Sequence, residues 1–173
     1  MLKNIPGINK DGSINVLIEI PMNSPPVKYE LDKSSSLMFV DRFVQTSMFY
    51  PCNYGFIPNS HSKDGDPLDV LVITNFPVIT GAVIKSKPIA ILIMEDESGV
   101  DEKIIAVPTS KIDKSFEEID DIDSLSNNWK EKITHFFEHY KDLEKGKWVK
   151  IKGWKGKSYA LDIINNSIKQ NYL

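Results

Sequence analysis

The sequence predicts an α+β fold, a small twisted β-barrel with two helices packed on it. Three observations carry that expectation. Apolar and polar residues alternate with a period of two in short runs across the first two thirds of the chain. Clusters rich in Pro, Gly, Asn and Ser (NSPP, PNSHSKDG, ESG) separate those runs. Stripes with a 3.6-residue period come only in the last third, and strands followed by helices suit a barrel with helical cover.

Taken in order, INVLIEIP (14–21) sets Ile14, Val16, Ile18 and Ile20 on one face and Glu19 on the other. VKYELD (27–32) opposes Val27, Tyr29 and Leu31 to Lys28, Glu30 and Asp32. Further strands are expected at 37–44, 68–74, 82–94, 103–107 and 148–154. In SNNWKEKITHFFEHYKDLEKG, Trp129, Ile133, Phe136, Phe137 and Tyr140 form a helical apolar stripe, with Ser126 as N-cap and Gly146 as stop. KSYALDIINNSIKQNYL predicts a second helix, with Tyr159, Ile163, Ile164 and Ile168 inward. No repeat, linker or second core interrupts the pattern, so one domain over 1–173 is expected.

Composition narrows the function. With 41% hydrophobic and 26% charged residues the chain reads as globular and not disordered. A net charge of −3 makes the whole chain no electrostatic magnet for nucleic acid. The longest apolar stretch, IAILIM, is too short to cross a bilayer, and MLKNIPGINKDGS lacks a signal-peptide run. A single cysteine, Cys52, reads as a small half-buried hydrophobe and suits a reducing, cytoplasmic setting. The cationic residues are lopsided: twenty Lys and one Arg, Arg42. A lone Arg among lysines suggests a task that needs a planar, bidentate fork, such as gripping phosphate, or else a surface residue left by chance.

The carboxylates form the main constellation. KDGDPLDVLV (63–72) puts Asp64, Asp66 and Asp69 beside an apolar strand, and EDESGVDEK (95–103) follows the apolar run PIAILIM. Convergence of the two would crowd like charges in one cleft, which divalent cations relieve; all-oxygen donors favour Mg²⁺, Mn²⁺ or Ca²⁺ over Zn²⁺. A helix–loop–helix calcium loop counted from Asp64 fails, because its required Gly and Glu positions hold Asp69 and Asn75. DGDP is also good turn chemistry, so a solvated turn stays open. Lys28 and Glu30 share a strand face, Lys103 lies two residues past Asp101, and Lys141 follows Tyr140 near a helix end. Carboxylates for metals beside Lys, Arg and Tyr for phosphate read as metal-assisted phosphoryl transfer.

These residues also carry a resemblance. DGDPLDV resembles the signature D-x-D-P-x-D-V of the soluble family I inorganic pyrophosphatases. EIP (19–21), KYELDK (28–33), DRF (41–43), YPCNYGFIP (50–58), EDESGVDEK (95–103) and HFFEHYKDLEKGKWVK (135–150) agree with that family in order and spacing. The length is similar to its short bacterial type. The resemblance implies a five-stranded OB-like antiparallel β-barrel with two helices and Mg²⁺-dependent hydrolysis of pyrophosphate to two phosphates. It implies several Mg²⁺ ions per site, with Mn²⁺ or Zn²⁺ as substitutes and Ca²⁺ inhibitory, and a cytoplasmic homohexamer, a dimer of trimers.

Residue by residue, the resemblance makes Asp64, Asp69 and Asp101 metal ligands, with Asp96 helping to hold a further ion. Glu19, Glu30 and Glu97 would act through water on the metals. Asp66 would be the general base. Lys28, Arg42, Tyr54, Lys103, Tyr140 and Lys141 would grip the phosphoryl groups, with Tyr50 nearby. Pyrophosphate carries up to four negative charges, so such cations are needed as the leaving phosphate gains charge.

Rival readings attach to other stretches. His135 and His139 stand at zinc-pair spacing, but Phe136 occupies the place where a zinc protease needs Glu, which favours a structural or subunit-contact role; His61 reads as solvated. The stretch 141–157 has seven lysines, two acids and two tryptophans, the dress of an OB-like single-stranded nucleic-acid-binding module. Its plainer reading is a strand with Val149 and Ile151 inward and Lys150 and Lys152 outward. EEIDDID (117–123) reads as a solvated loop rather than a third metal cluster.

Overall fold

A computed structural model describes residues 4–62 and 65–169, apart from the side chain of Lys169. In chain order it contains β1 (Ile14–Ile20), β2 (Val27–Asp32), β3 (Leu37–Phe43), β4 (Asn53–Phe56), β5 (Asp69–Val72), β6 (Val83–Asp96), β7 (Gly99–Pro108), α1 (Asn127–His139), β8 (Val149–Gly156) and α2 (Lys157–Lys169). The main sheet runs β1-β4-β5-β7-β6-β8, and β1 also pairs with β6. That second pairing closes a five-stranded ring, β1-β4-β5-β7-β6, and leaves β8 as an outer strand on β6.

The ring departs from the expected antiparallel barrel at one seam. Asp69–Val72 of β5 runs parallel to Lys103–Ala106 of β7, while the other pairings are antiparallel. Hairpin connections join antiparallel neighbours; a parallel pair needs a crossover, which β6 supplies as it passes between β5 and β7 in sequence. β2 and β3 form a separate two-stranded sheet.

Period two divides the central strands between two apolar clusters. Leu71, Leu92, Ile105 and Val107 join one, with Ile133, Phe136 and Phe137 of α1. Val70, Val72, Ile91, Ile104 and Ala106 join the other, with Ala160 and Ile164 of α2. Strands buried on both faces explain why DVLVI and IAILIM read as unbroken apolar runs. Each such Leu or Ile adds about 1.5–3 kcal/mol on burial.

The structure alters the sequence reading in several places. β4 was not anticipated, because Asn-Tyr-Gly-Phe is short and poor in β-formers. It forms because Asn53, fully buried, uses its whole amide: Oδ1 accepts from the N–H of Met22 (3.0 Å) and Val78 (2.7 Å), and Nδ2 donates to Thr74 Oγ1 (2.6 Å) and the Phe76 carbonyl (3.3 Å). Helix α1 ends at His139 and not near Gly146; Ser126 sits at its N-cap without a side-chain capping bond. On α2, Tyr159 is exposed, and Ala160, Ile164 and Ser167 are the buried positions. Within 117–123, Asp121 Oδ1 accepts from the N–H of Ile122 (2.6 Å) and of Lys157 (3.0 Å), and Lys87 Nζ pairs with Asp120 at 2.6 Å. That stretch ties the helix α2 start to the body of the fold.

Gly55 is required by close approach. A Cβ there would lie 1.9 Å from the Leu17 carbonyl oxygen of the paired strand β1. Gly55→Ala must therefore push β1 and β4 apart and is expected to destabilise the protein by about 3 kcal/mol. Urea unfolding monitored by circular dichroism checks this; a loss below about 0.5 kcal/mol, the range of a neutral surface change, would contradict it.

Candidate active site

A cleft of about 390 Å³ opens where the ends of several strands meet the β2–β3 hairpin and the turn after α1. Each element delivers its side chains by register. The parallel seam sets Asp69 beside Lys103, and the β6–β7 ladder sets Asp101 opposite Met94. Asp101 and Lys103, two residues apart on β7, project to one face. Tyr54 comes from β4, Glu19 from β1, Lys28 and Glu30 from β2, and Arg42 from β3. Tyr140 and Lys141 follow the last turn of α1.

Glu19, Lys28, Glu30, Arg42, Tyr54, Asp66, Asp69, Asp96, Glu97, Asp101, Lys103, Tyr140 and Lys141, all expected from sequence, line this cleft together. Tyr50 does not; it is buried behind the wall, its ring 5.2 Å from that of Tyr54 and 4.6 Å from that of Phe136. Asp64 lies outside the described residues. Lys33 and Lys147, which also line the cleft, were not anticipated. Lys33 sits inside the motif KYELDK, and its ammonium is 3.1 Å from Asp66 Oδ1.

Opposite charges alternate through the cleft. Lys103, 5% exposed, forms an ion pair with Asp69, stands 2.8 Å from Asp101 Oδ1, and donates to the Tyr54 hydroxyl at 3.4 Å. Lys141 Nζ donates to Asp96 Oδ2 at 2.8 Å and stands 3.5 Å from Glu97. Lys147 pairs with the same Glu97 oxygen at 2.5 Å. Lys28 is bound to Glu30 and, at 3.0 Å, to Asp41 Oδ2, which also accepts from Arg42 Nη1 at 2.7 Å.

These surroundings set the ionisation. Burial works against the Lys103 ammonium, but Asp69 and Asp101 hold its pKa above the ordinary lysine value. Burial raises Asp101, with Lys103 opposing and Asp69 adding to the rise. Glu19 is pushed up to about 7 by burial, against the Leu31 N–H it accepts at 2.9 Å and with help from the charge of Asp69. Burial likewise raises the Tyr54 and Tyr140 hydroxyls, so both remain donors at neutral pH.

The donor set fits hard divalent cations. The acidic side chains in the cleft offer only oxygen. Among the described residues no three His, Cys, Asp or Glu side chains converge closely enough to hold an ion. Lys103 pairs with Asp69 and Asp101, and Lys141 with Asp96.

The other chemical candidates do not assemble. His135 and His139 lie on the exposed side of α1 with their rings tilted and their centroids 4.7 Å apart, and His139 Nδ1 is 2.8 Å from Asp142. On β8, Val149 and Ile151 pack inward and Lys150 and Lys152 point out, with Lys152 paired to Glu95. Glu95 and Glu97 thus offset part of the basic strip expected of a nucleic-acid module.

Comparison with known proteins agrees. A family model described as inorganic pyrophosphatase matches residues 16–172. Proteins named inorganic pyrophosphatase from Rickettsia conorii and Rickettsia prowazekii are similar to this chain. The first is 63% identical, covering 90% of this chain and 90% of its own length. The second is 59% identical, covering 98% and 99%. A solved inorganic pyrophosphatase structure from Coxiella burnetii superposes with a TM-score of 0.93 at 46% identity, covering 96% of this chain and 99% of its own.

Glu19 makes the site legible in stability. Its folded pKa near 7 stands above the ordinary 4.5, so the folded state binds a proton the unfolded state has lost between those values. Its favourable contribution is therefore complete below about pH 4.5 and gone above about pH 7, a change of about 3 kcal/mol in the metal-free protein. Urea unfolding in EDTA from pH 4.5 to 7.5 is expected to show that fall in the parent protein relative to Glu19→Gln. Parallel curves for the two would contradict it.

Proposed function

This chain belongs to the inorganic pyrophosphatase family and hydrolyses pyrophosphate to two orthophosphates, and on that premise we propose how its residues divide the work. The observation that carries the reading is a single cleft in which Lys28, Arg42, Lys103 and Lys141 alternate with Glu19, Asp69, Asp96 and Asp101. The family is metal-dependent, and the metal we propose is Mg²⁺, held by Asp64, Asp69 and Asp101, with Asp96 holding a further ion. Mn²⁺ or Zn²⁺ would substitute and Ca²⁺ would inhibit. When bound, the ions supply charge stabilisation and lower the pKa of the attacking water toward about 7.

The chain's own groups do the rest. Lys103 and Lys141, paired with Asp69, Asp101 and Asp96, would bind the phosphoryl oxygens. Lys28 and Arg42 approach from the hairpin, and the protonated hydroxyls of Tyr54 and Tyr140 donate from the cleft wall. The cations are fixed where charge grows on the leaving phosphate, which is where their effect on rate is largest. Asp66, exposed at the cleft mouth, accepts the proton of the attacking water. Glu19, Glu30 and Glu97 hold water around the ions, and Tyr50 braces Tyr54 from behind.

The same reading carries a cytosolic location and a homohexameric assembly, a dimer of trimers. Exposed Phe43, Phe76 and Ile79 are apolar surface that such an assembly could cover. No helix among the described residues is long and apolar enough to cross a membrane.

Phosphate release from pyrophosphate by EDTA-stripped protein, with Mg²⁺ titrated back, tests the metal. Release is expected only with the divalent ion and is expected to fall when Ca²⁺ competes. Asp66→Asn is expected to lower kcat by roughly 10²–10⁴-fold with the Mg²⁺ activation midpoint unchanged. Near-normal turnover in that variant would remove Asp66 from the role of base.

A further inference from the structure

Two carboxylates hold the chain's single arginine, and they hold it differently. Arg42 Nη1 donates to Asp41 Oδ2 at 2.7 Å, an ordinary charged hydrogen bond. Arg42 Nε lies 3.6 Å from Glu144 Oε1, too far for one, and both atoms are buried with no hydrogen-bond partner. A buried donor and a buried acceptor left unbonded are each costly, and here they face one another.

The backbone of Glu144 is fixed. Its N–H donates to the Lys141 carbonyl at 2.8 Å, and its carbonyl accepts from the Lys147 N–H at 3.1 Å. It therefore belongs to the turn that carries Lys141, whereas Arg42 belongs to the two-stranded sheet of the hairpin. The Arg42–Glu144 contact joins the two sides of the cleft that present cations to the substrate.

We propose that Glu144 is a positioning residue for Arg42: it steadies the guanidinium by charge before substrate arrives and closes an Nε–H···Oε1 hydrogen bond as the fork moves from Asp41 to a substrate phosphate. The gap of 3.6 Å has to shorten by only about 0.7 Å to reach ordinary N–H···O length. A lysine carries its three N–H donors on one terminal nitrogen, so it has no separate donor further back on the stem to leave on Glu144 while its head binds phosphate. That accounts for one arginine in a chain that otherwise uses lysine twenty times. The inference rests on the reading of Arg42 as a phosphate-gripping residue.

The test is steady-state pyrophosphate hydrolysis by the full-length, Mg²⁺-loaded enzyme in Glu144→Ala, Glu144→Gln, Arg42→Lys and the double variant Arg42→Lys/Glu144→Ala, with thermal unfolding of each alongside. Glu144→Ala is expected to raise KM for pyrophosphate roughly ten- to hundredfold, the worth of one hydrogen bond to a charged group. Glu144→Gln keeps an acceptor oxygen and is expected to raise it less. In the Arg42→Lys background, loss of Glu144 is expected to add nothing, because the Nε–H it serves is gone. Arg42→Lys with wild-type KM and kcat would overturn the reading of Arg42 itself. An impaired Arg42→Lys combined with an unchanged KM in both Glu144 variants, or with fully additive effects in the double variant, would overturn the positioning role alone.

Discussion

Carboxylates gathered in one cleft repel each other and lose hydration, so the fold is stable only if positive charge is placed among them with comparable accuracy. Lys103 meets that constraint most directly. It is almost wholly buried, bound to Asp69 on one side and Asp101 on the other. Removing the ammonium would leave buried anions uncompensated, and removing the anions would strand a buried ammonium. Much of the barrel's geometry serves to keep these three side chains in place: the parallel seam fixes Asp69 against Lys103, and the spacing of two along β7 fixes Asp101.

The same constraint orders the periphery of the site. Asp41 is shared between Lys28 and Arg42, and Glu97 between Lys141 and Lys147. Each of these four cations therefore has a carboxylate partner. Such pairs near the surface add little to stability. Their use is to hold flexible side chains near the geometry that anionic substrate will require, which reduces the ordering cost at binding.

The site residues were legible chiefly through the ordered motifs that carry the family resemblance, and strand period accounts for part of how they meet. Period two along VKYELD puts Lys28 and Glu30 on a common face, and the structure binds them to each other. What was not legible depends on contacts distant in sequence. β4 looks like a loop until Asn53 is seen joining the N–H groups of Met22 and Val78, and Gly55 looks like a turn residue until the Leu17 carbonyl passes beside it. The acidic stretch 117–123 is largely exposed, as read, but it is also tied down, since Asp121 accepts from the first N–H of α2, thirty-six residues away. Tyr159 was expected inward because its spacing fits, but the shorter Ala160 takes the buried position next to it. Lys33, Lys147 and Glu144 lie inside stretches that the family resemblance already marked, but nothing in their residue type singles them out, since a charged residue in a turn reads the same whether or not a cleft lies beside it.

The closing strand of the ring has a consequence for synthesis. β1 is synthesised before the other described strands, yet half of its pairing, Ile14–Leu17, is with Val83–Ser86 of β6. At translation rates of about 5–20 residues per second, that edge stays open for several seconds. β4 emerges earlier and covers the other half, from Leu17 to Ile20. The nascent barrel therefore grows from a partly paired first strand, with one apolar edge exposed to other chains until the sixth arrives.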